Sequence, residues 1–237
     1  MITTPAGRVA SAALTSILFA APVADAHHGR DFLLTQTAHL PAKGEIYAIS
    51  RQDYIDEGEE EEYEFEPGVI GSVTDWLTLE LHSHIEKPES ESAEYESTAA
   101  VAYFRFTPRE SAFAVGGAVE YELANHSDDE DVWGFAGLAS YEANGWMFGA
   151  NLLAEREATG GADTEWGYAA GARRSLTDVF AVGLEVAGSF EDDKEGEVLL
   201  DLFADPLPWL TINIGVGTGF NDGNDLTVRS ALIFKLR

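Results

Sequence analysis

The chain contains no cysteine. Disulfides and thiolate metal sites are therefore excluded. Basic residues are scarce, 14 Lys and Arg against 42 Asp and Glu, for a formal charge of −28. A chain so charged repels nucleic-acid phosphates and anionic surfaces and attracts cations, so nucleic acid is not a partner. The same acidity also serves solubility and halotolerance. No segment approaches the ~18 unbroken apolar residues of a membrane-crossing helix. If this chain crosses a membrane, it does so as a closed barrel, which leaves no backbone polar group unpaired in lipid. Enzyme signatures are missing too. There is no G-x-S-x-G, H-E-x-x-H or glycine-rich phosphate loop. His82 and Ser83 are adjacent in a strand and point to opposite faces, which leaves only Ser127 beside His126 in an acidic loop. The chain is not read as an enzyme.

What is present begins with an export signal over residues 1–26. Arg8 gives a weakly positive start, residues 12–21 a short apolar run, and Ala24-Asp25-Ala26 a small-residue cleavage site. Residues 27–43 follow as a leader or plug. A loosely ordered leader is the favoured reading, with packing in or under a barrel mouth as the alternative. Pro41 and Gly44 separate this segment from what comes next.

From residue 44 to 237 the period is two. In Leu77-Thr78-Leu79-Glu80-Leu81-His82-Ser83-His84-Ile85-Glu86, apolar and polar residues alternate, so one face is greasy and the other wet. Phe180, Val182, Leu184 and Val186 alternate with Ala181, Gly183, Glu185 and Ala187 in the same way. About twelve such segments are expected, at 45–55, 62–73, 76–86, 94–106, 112–124, 131–142, 146–157, 164–175, 179–191, 196–205, 209–220 and 226–237. Each is near the ~9–11 residues that cross a bilayer on a tilt. The connections alternate between tight turns (74–75, 107–111, 143–145, 176–178, 205–208) and longer acidic loops (56–62, 87–93, 125–130, 158–163, 192–195, 221–225). Aromatics gather near strand ends: Trp76, Phe113, Trp146, Phe180 and Trp209 at one rim, Tyr63, Tyr95, Trp133, Trp166 and Phe190 at the other. These features predict an all-β fold, a closed antiparallel up-and-down transmembrane β-barrel of about twelve strands, with both termini on the tight-turn rim.

The exported leader, the Thr74-Asp75-Trp76-Leu77 and Leu176-Thr177-Asp178-Val179-Phe180 turns and the glycine-rich closing hairpins resemble the small Gram-negative outer-membrane barrels. The loosest match is to the transporter-like barrels grouped with the phenol-degradation meta-pathway channels. The resemblance implies an outer-membrane location, lipid and lipopolysaccharide contacts, insertion by the barrel-assembly machinery and transport of a small solute or cation. The chain departs from it in ending Phe234-Lys235-Leu236-Arg237, where such barrels end in Phe or Trp.

The leading functional expectation is a porin-like channel for small solutes, cation-preferring. Its lumen and transport residues are Glu80, Glu120, Glu122, Glu155, Arg173 and Arg229. A charge gradient is expected, with Glu157, Glu191 and Glu197 also toward the acidic rim and Arg105, Arg109, Arg174, Lys235 and Arg237 toward the other. The alternative is a possible divalent metal ion on the row Glu80, His82, His84 and Glu86, with Glu64, Glu66, Glu94 and Glu96 from neighbouring strands. His27 and His28, the first residues after the expected cut, are a second metal candidate. A structural barrel with no cargo is the third reading.

Overall fold

The computed structural model describes residues 28–56, 58, 61–88, 92–126, 129–159, 163–190, 195–221 and 224–237. The export signal and its cleavage site, His27, Ser127 and Glu191 lie outside these residues. Twelve strands close on themselves: β1 (Ile46–Asp56), β2 (Glu61–Ser72), β3 (Leu77–Pro88), β4 (Glu94–Arg105), β5 (Phe113–Ala124), β6 (Val132–Ala143), β7 (Trp146–Glu157), β8 (Glu165–Ser175), β9 (Phe180–Ser189), β10 (Gly196–Leu207), β11 (Leu210–Phe220) and β12 (Leu226–Lys235). Every neighbour pair is antiparallel, and β1 pairs with β12 from Tyr47↔Lys235 to Asp56↔Leu226, so no edge remains.

The alternation read in the sequence sets which face goes where. On β9, Phe180, Val182 and Leu184 face out and are exposed, while Ala181 and Glu185 face in and are buried. All ten girdle aromatics are exposed on the outer wall. Several stack on a neighbour, as Trp146 does on Phe148 at 5.6 Å and Trp209 on Phe234 at 6.4 Å. Trp and Tyr rings at two heights around an apolar band are the arrangement a barrel needs at two membrane interfaces.

Turns fix the register. Asn144 (φ 52°) and Gly145 (φ 73°) form a two-residue connection with both residues left-handed, the hairpin conformation whose twist matches its strands. The expected turn at 205–208 is shorter than its sequence suggests. β10 runs on through Asp205 and Pro206, with a register shift between Ala204 and Leu207, and Leu207 pairs with Leu210. A bulge absorbs the proline that could not donate to a regular ladder. The connection 106–112 is as long as several of the acidic loops, so the two rims differ in charge more than in loop length. Both barrel ends lie on the less acidic rim. There Glu45 accepts from the Lys235 ammonium, the Ala42 amide and the Tyr47 hydroxyl, joining the start of β1 to the end of β12.

Candidate functional site: a plugged, acidic bore

The sequence favours a loosely ordered leader over a plug for this segment, but residues 28–41 lie inside the barrel. Phe32, Leu33, Ala38 and Leu40 are buried there with wall residues such as Ile49, Ile70, Val101, Leu199 and Phe203. The segment leaves the tight-turn rim, crosses the bore and returns. Its way back out is held at Pro41, whose carbonyl accepts from Ser72 Oγ at 2.9 Å and from Arg109 Nη1 at 3.0 Å.

A buried segment without strand or helix must have its backbone groups satisfied from outside, and the wall does this. The Glu185 carboxylate accepts the amides of Leu33, Leu34 and Thr35 at 2.7, 2.9 and 2.7 Å. Asn151 pairs twice with Gln36, accepting its amide at 2.7 Å and donating to its carbonyl at 2.8 Å. Ser140 Oγ accepts from Ala38 N at 2.8 Å, and Arg173 Nη1 donates to the Asp31 carbonyl at 3.2 Å. Each such bond contributes about 0.5–1.5 kcal/mol net, and those to charged groups about 1.5–3 kcal/mol. Shape completes the fit. A Cβ on Gly149 would come within 2.7 Å of Thr35 Cγ2, and one on Gly171 within 2.9 Å of the Phe32 ring. These two glycines cut the notch in which the segment sits.

One charge pair ties the segment to the other wall. Arg30 donates through Nη2 to Glu80 Oε1 at 2.6 Å and through Nε to Oε2 at 3.2 Å, and Tyr103 donates to the same Oε2 at 2.9 Å. Burial alone would weaken the charged form of Arg30. The facing Glu80 carboxylate more than reverses this, and the guanidinium is held more firmly protonated than in water.

Toward the acidic rim the bore opens into a cavity of about 150 Å³, floored by Gln36 of the plug and lined by Glu120, Glu122, Gly134, Leu153 and Glu155. The register Glu120↔Gly134↔Glu155 places two carboxylates at one height, a glycine strand apart, or roughly 10 Å. Arg30 and His82 attract Glu120 without forming an ion pair with it, and the other inward arginines are engaged elsewhere. Arg51 is taken by Glu66 at 2.6 Å, and Arg229 by Glu197 at 2.8 Å and by Asp53. Among the described residues no ion pair reaches Glu120, Glu122 or Glu155.

The expected residues thus fall in different places. Glu80, Glu120, Glu122, Glu155 and Arg229 line the bore, and Arg173 braces the plug, lying over the Phe203 ring at 4.5 Å and 3.6 Å from Asp205. Arg174 faces away, bonding the Asn144 carbonyl and lying over Trp146. The Glu80–Glu86 row does not close as one metal shell. Glu80 is occupied by Arg30, with His82 Nδ1 at 3.2 Å, while His84 Nε2 lies 3.9 Å from Glu64. Glu94 and Glu96 do not join the row. Glu96 sits at a register shift between β3 and β4, and both approach His126 on the acidic rim, at 4.0 and 3.8 Å. His28 is buried against Tyr47, with rings 5.9 Å apart, and its Nδ1 accepts the Arg30 amide. Glu185, Asn151, Ser140 and Arg30 secure the plug without having been singled out, although the strand period already put Glu185 on an inward face.

A twelve-stranded antiparallel barrel with an apolar outer belt, aromatic girdles and a bore crossed by its own N-terminal segment has the fold of the outer-membrane barrels. The sequence matches no protein-family model and no curated protein. Solved structures do match in fold. The KdgM porin superposes with a TM-score of 0.63 at 9% identity, covering 81% of this chain and 99% of that one. An outer-membrane channel from Pseudomonas putida F1 gives 0.62 at 11%, covering 83% and 97%. The NanC porin gives 0.61 at 13%, covering 80% and 100%.

Proposed function

We propose that the protein is an outer-membrane channel for small solutes, cation-preferring, whose bore is narrowed by residues 28–41. The observation that supports this best is the cavity with Glu120, Glu122 and Glu155, three carboxylates on the path a solute would take that form no ion pair among the described residues. A narrow, low-dielectric bore of one sign concentrates counter-ions and rejects co-ions. KdgM has also been solved in complex with disordered oligogalacturonate, an acidic sugar chain. The cavity described here carries the same sign of charge as that ligand, which favours cationic or neutral solutes over acidic ones. With this reading go the outer-membrane location, lipid and lipopolysaccharide around the belt and delivery by the barrel-assembly machinery.

Planar-bilayer recording of refolded protein under a KCl gradient tests the proposal. The reversal potential should report cation preference, and Glu120→Gln/Glu122→Gln/Glu155→Gln should move it toward zero. A bilayer that stays silent for wild type and for plug-weakened variants alike overturns it.

A second reading is favoured by one geometry. Glu94, Glu96 and His126 offer ligand atoms within 4.8 Å of one another on the acidic rim. Carboxylate and imidazole oxygen and nitrogen suit Zn²⁺ or a related divalent ion. Zn²⁺ calorimetry on wild type and His126→Ala separates this from the lumenal row, for which His82→Ala/His84→Ala would lose binding instead.

A further inference from the structure

The carboxylates that hold or flank the plug have donors: Glu185 has plug amides, Glu80 has Arg30 and Tyr103, and Asp53 has Arg229. Asp201 differs. It faces inward from β10, is 2% exposed, and neither carboxylate oxygen has a hydrogen-bond partner among the described residues. Asn213, on the next strand, is 0% exposed. Its Nδ2 donates to the Arg30 carbonyl at 3.4 Å, while its Oδ1 has no partner among the described residues.

The two acceptors belong to one patch. Asp201 pairs with Gly215 and Phe203 with Asn213, so Asp201 and Asn213 are diagonal neighbours on the same inner face. At Gly215 wall and plug approach each other so closely that no side chain fits between them. A Cβ there would lie 2.5 Å from Asp201 Oδ1 and 2.7 Å from Leu33 Cδ1. A plug methyl group therefore lies beside the carboxylate. The surrounding charge makes matters worse, since Glu185 and Glu197 both repel a negative Asp201. Arg229, opposite Gly215, is already divided between Asp53 and Glu197. An ionised carboxylate covered by hydrocarbon, without a donor and among like charges, is costly unless a positive charge joins it.

We propose that a small hard cation of the Na⁺ or Ca²⁺ class binds between Asp201 and Asn213 Oδ1 and locks the plug under Leu33. The donors are all oxygen, which suits hard cations and not soft ones. The site is separate from the carboxylates of the solute cavity, so it does not rest on the transport reading.

The test is thermal unfolding of the full refolded chain in detergent, followed by circular dichroism. Choline chloride with EDTA is replaced at constant ionic strength by NaCl, or in a second series by CaCl₂. Wild type should gain stability with at least one of the two cations. Asp201→Asn should lose most of that gain while being no less stable than wild type in choline. Asn213→Ala, which keeps the carboxylate, should need more cation for the same shift and covers the case in which Asp201→Asn fails to fold. An equal cation response in wild type and both variants would assign the effect to surface acids and overturn the proposal. So would a wild type indifferent to both cations, which would leave a proton on Asp201. So too would loss of the response in Glu120→Gln/Glu122→Gln/Glu155→Gln.

Discussion

At the scale of single residues, Arg30 and Glu80 are the pair on which the plug depends most. Glu80 is buried and Arg30 mostly so, and removing one leaves the other as an uncompensated charge, at a cost of up to about 3–5 kcal/mol. Replacing both by methionine removes the charge with its partner and is expected to cost far less. Glu80→Met alone should therefore loosen the plug more than Arg30→Met/Glu80→Met. Because Arg30 belongs to the plug and the barrel ladders do not use it, the loss is expected in the bore and not in global unfolding. Single-channel recording should show longer or more frequent open events in Glu80→Met than in wild type or the double variant. Equal opening in single and double variants would mean that the pair does not hold the plug.

Glu45 is the residue whose titration the fold reads out. Burial pushes its proton affinity up, but bonds from Lys235, the Ala42 amide and Tyr47 outweigh this and hold the carboxyl below its usual range. A carboxyl with a lowered folded pKa contributes stability above its unfolded pKa and loses it as the pH falls through the folded value. The seam between β1 and β12 should therefore be fully held above about pH 4.5 and weaken below it. Glu45 is only partly buried, so water screens the pair and the contribution is at most about 1 kcal/mol. Melting curves from pH 7 to 3 should fall less steeply for Glu45→Gln than for wild type. Parallel curves would show that the seam carboxylate does not titrate with folding.

Among the elements, strands and plug were unequally legible. The strands announce themselves because each repeats the same two-sided choice, Phe180 out and Ala181 in, Leu184 out and Glu185 in, and that choice is a composition pattern. The plug has no period to read. What secures it is the backbone of Leu33, Leu34, Thr35, Gln36 and Ala38, and a peptide N–H is the same in every sequence. Its receptors were visible as inward polar residues, but nothing in the local pattern of Glu185 or Asn151 distinguishes an anchor from a residue facing water. The same limit explains the metal row. Spacing along β3 showed Glu80, His82 and His84 on one face, whereas Arg30, fifty positions earlier, decides that Glu80 is already engaged. The notch supplies a direct handle on the element. Gly171→Val puts a side chain where Phe32 lies and leaves the ladder bonds of β8 untouched. Its plug should be displaced, conductance should rise, and the barrel melting temperature should change by less than the roughly 2–4 °C that about 1 kcal/mol represents in a chain of this size. Unchanged conductance with a lowered melting temperature would place the effect in the wall instead.

For the molecule as a whole, the question is which of its 42 acidic residues act on a passing ion. The described loop acids, such as Asp129 and Glu130, are exposed at the rim, and the field of such charges is cut off over roughly 10 Å at 0.1 M salt and 3 Å at 1 M. Glu120, Glu122 and Glu155 line a confined cavity, where little electrolyte fits and where, in the proposed channel, a permeating ion would pass close to them. Selectivity from the rim should therefore fade with salt, while selectivity from the cavity should persist. If reversal potentials are measured at a fixed concentration ratio from 0.1 to 2 M KCl, wild type should keep part of its cation preference at the top of the range. The variant with all three cavity carboxylates changed to glutamine should start lower and lose the remainder. A wild type whose preference vanishes at high salt, matched by the triple variant at every concentration, would assign the selectivity to the loops and leave the cavity acids without a role in permeation.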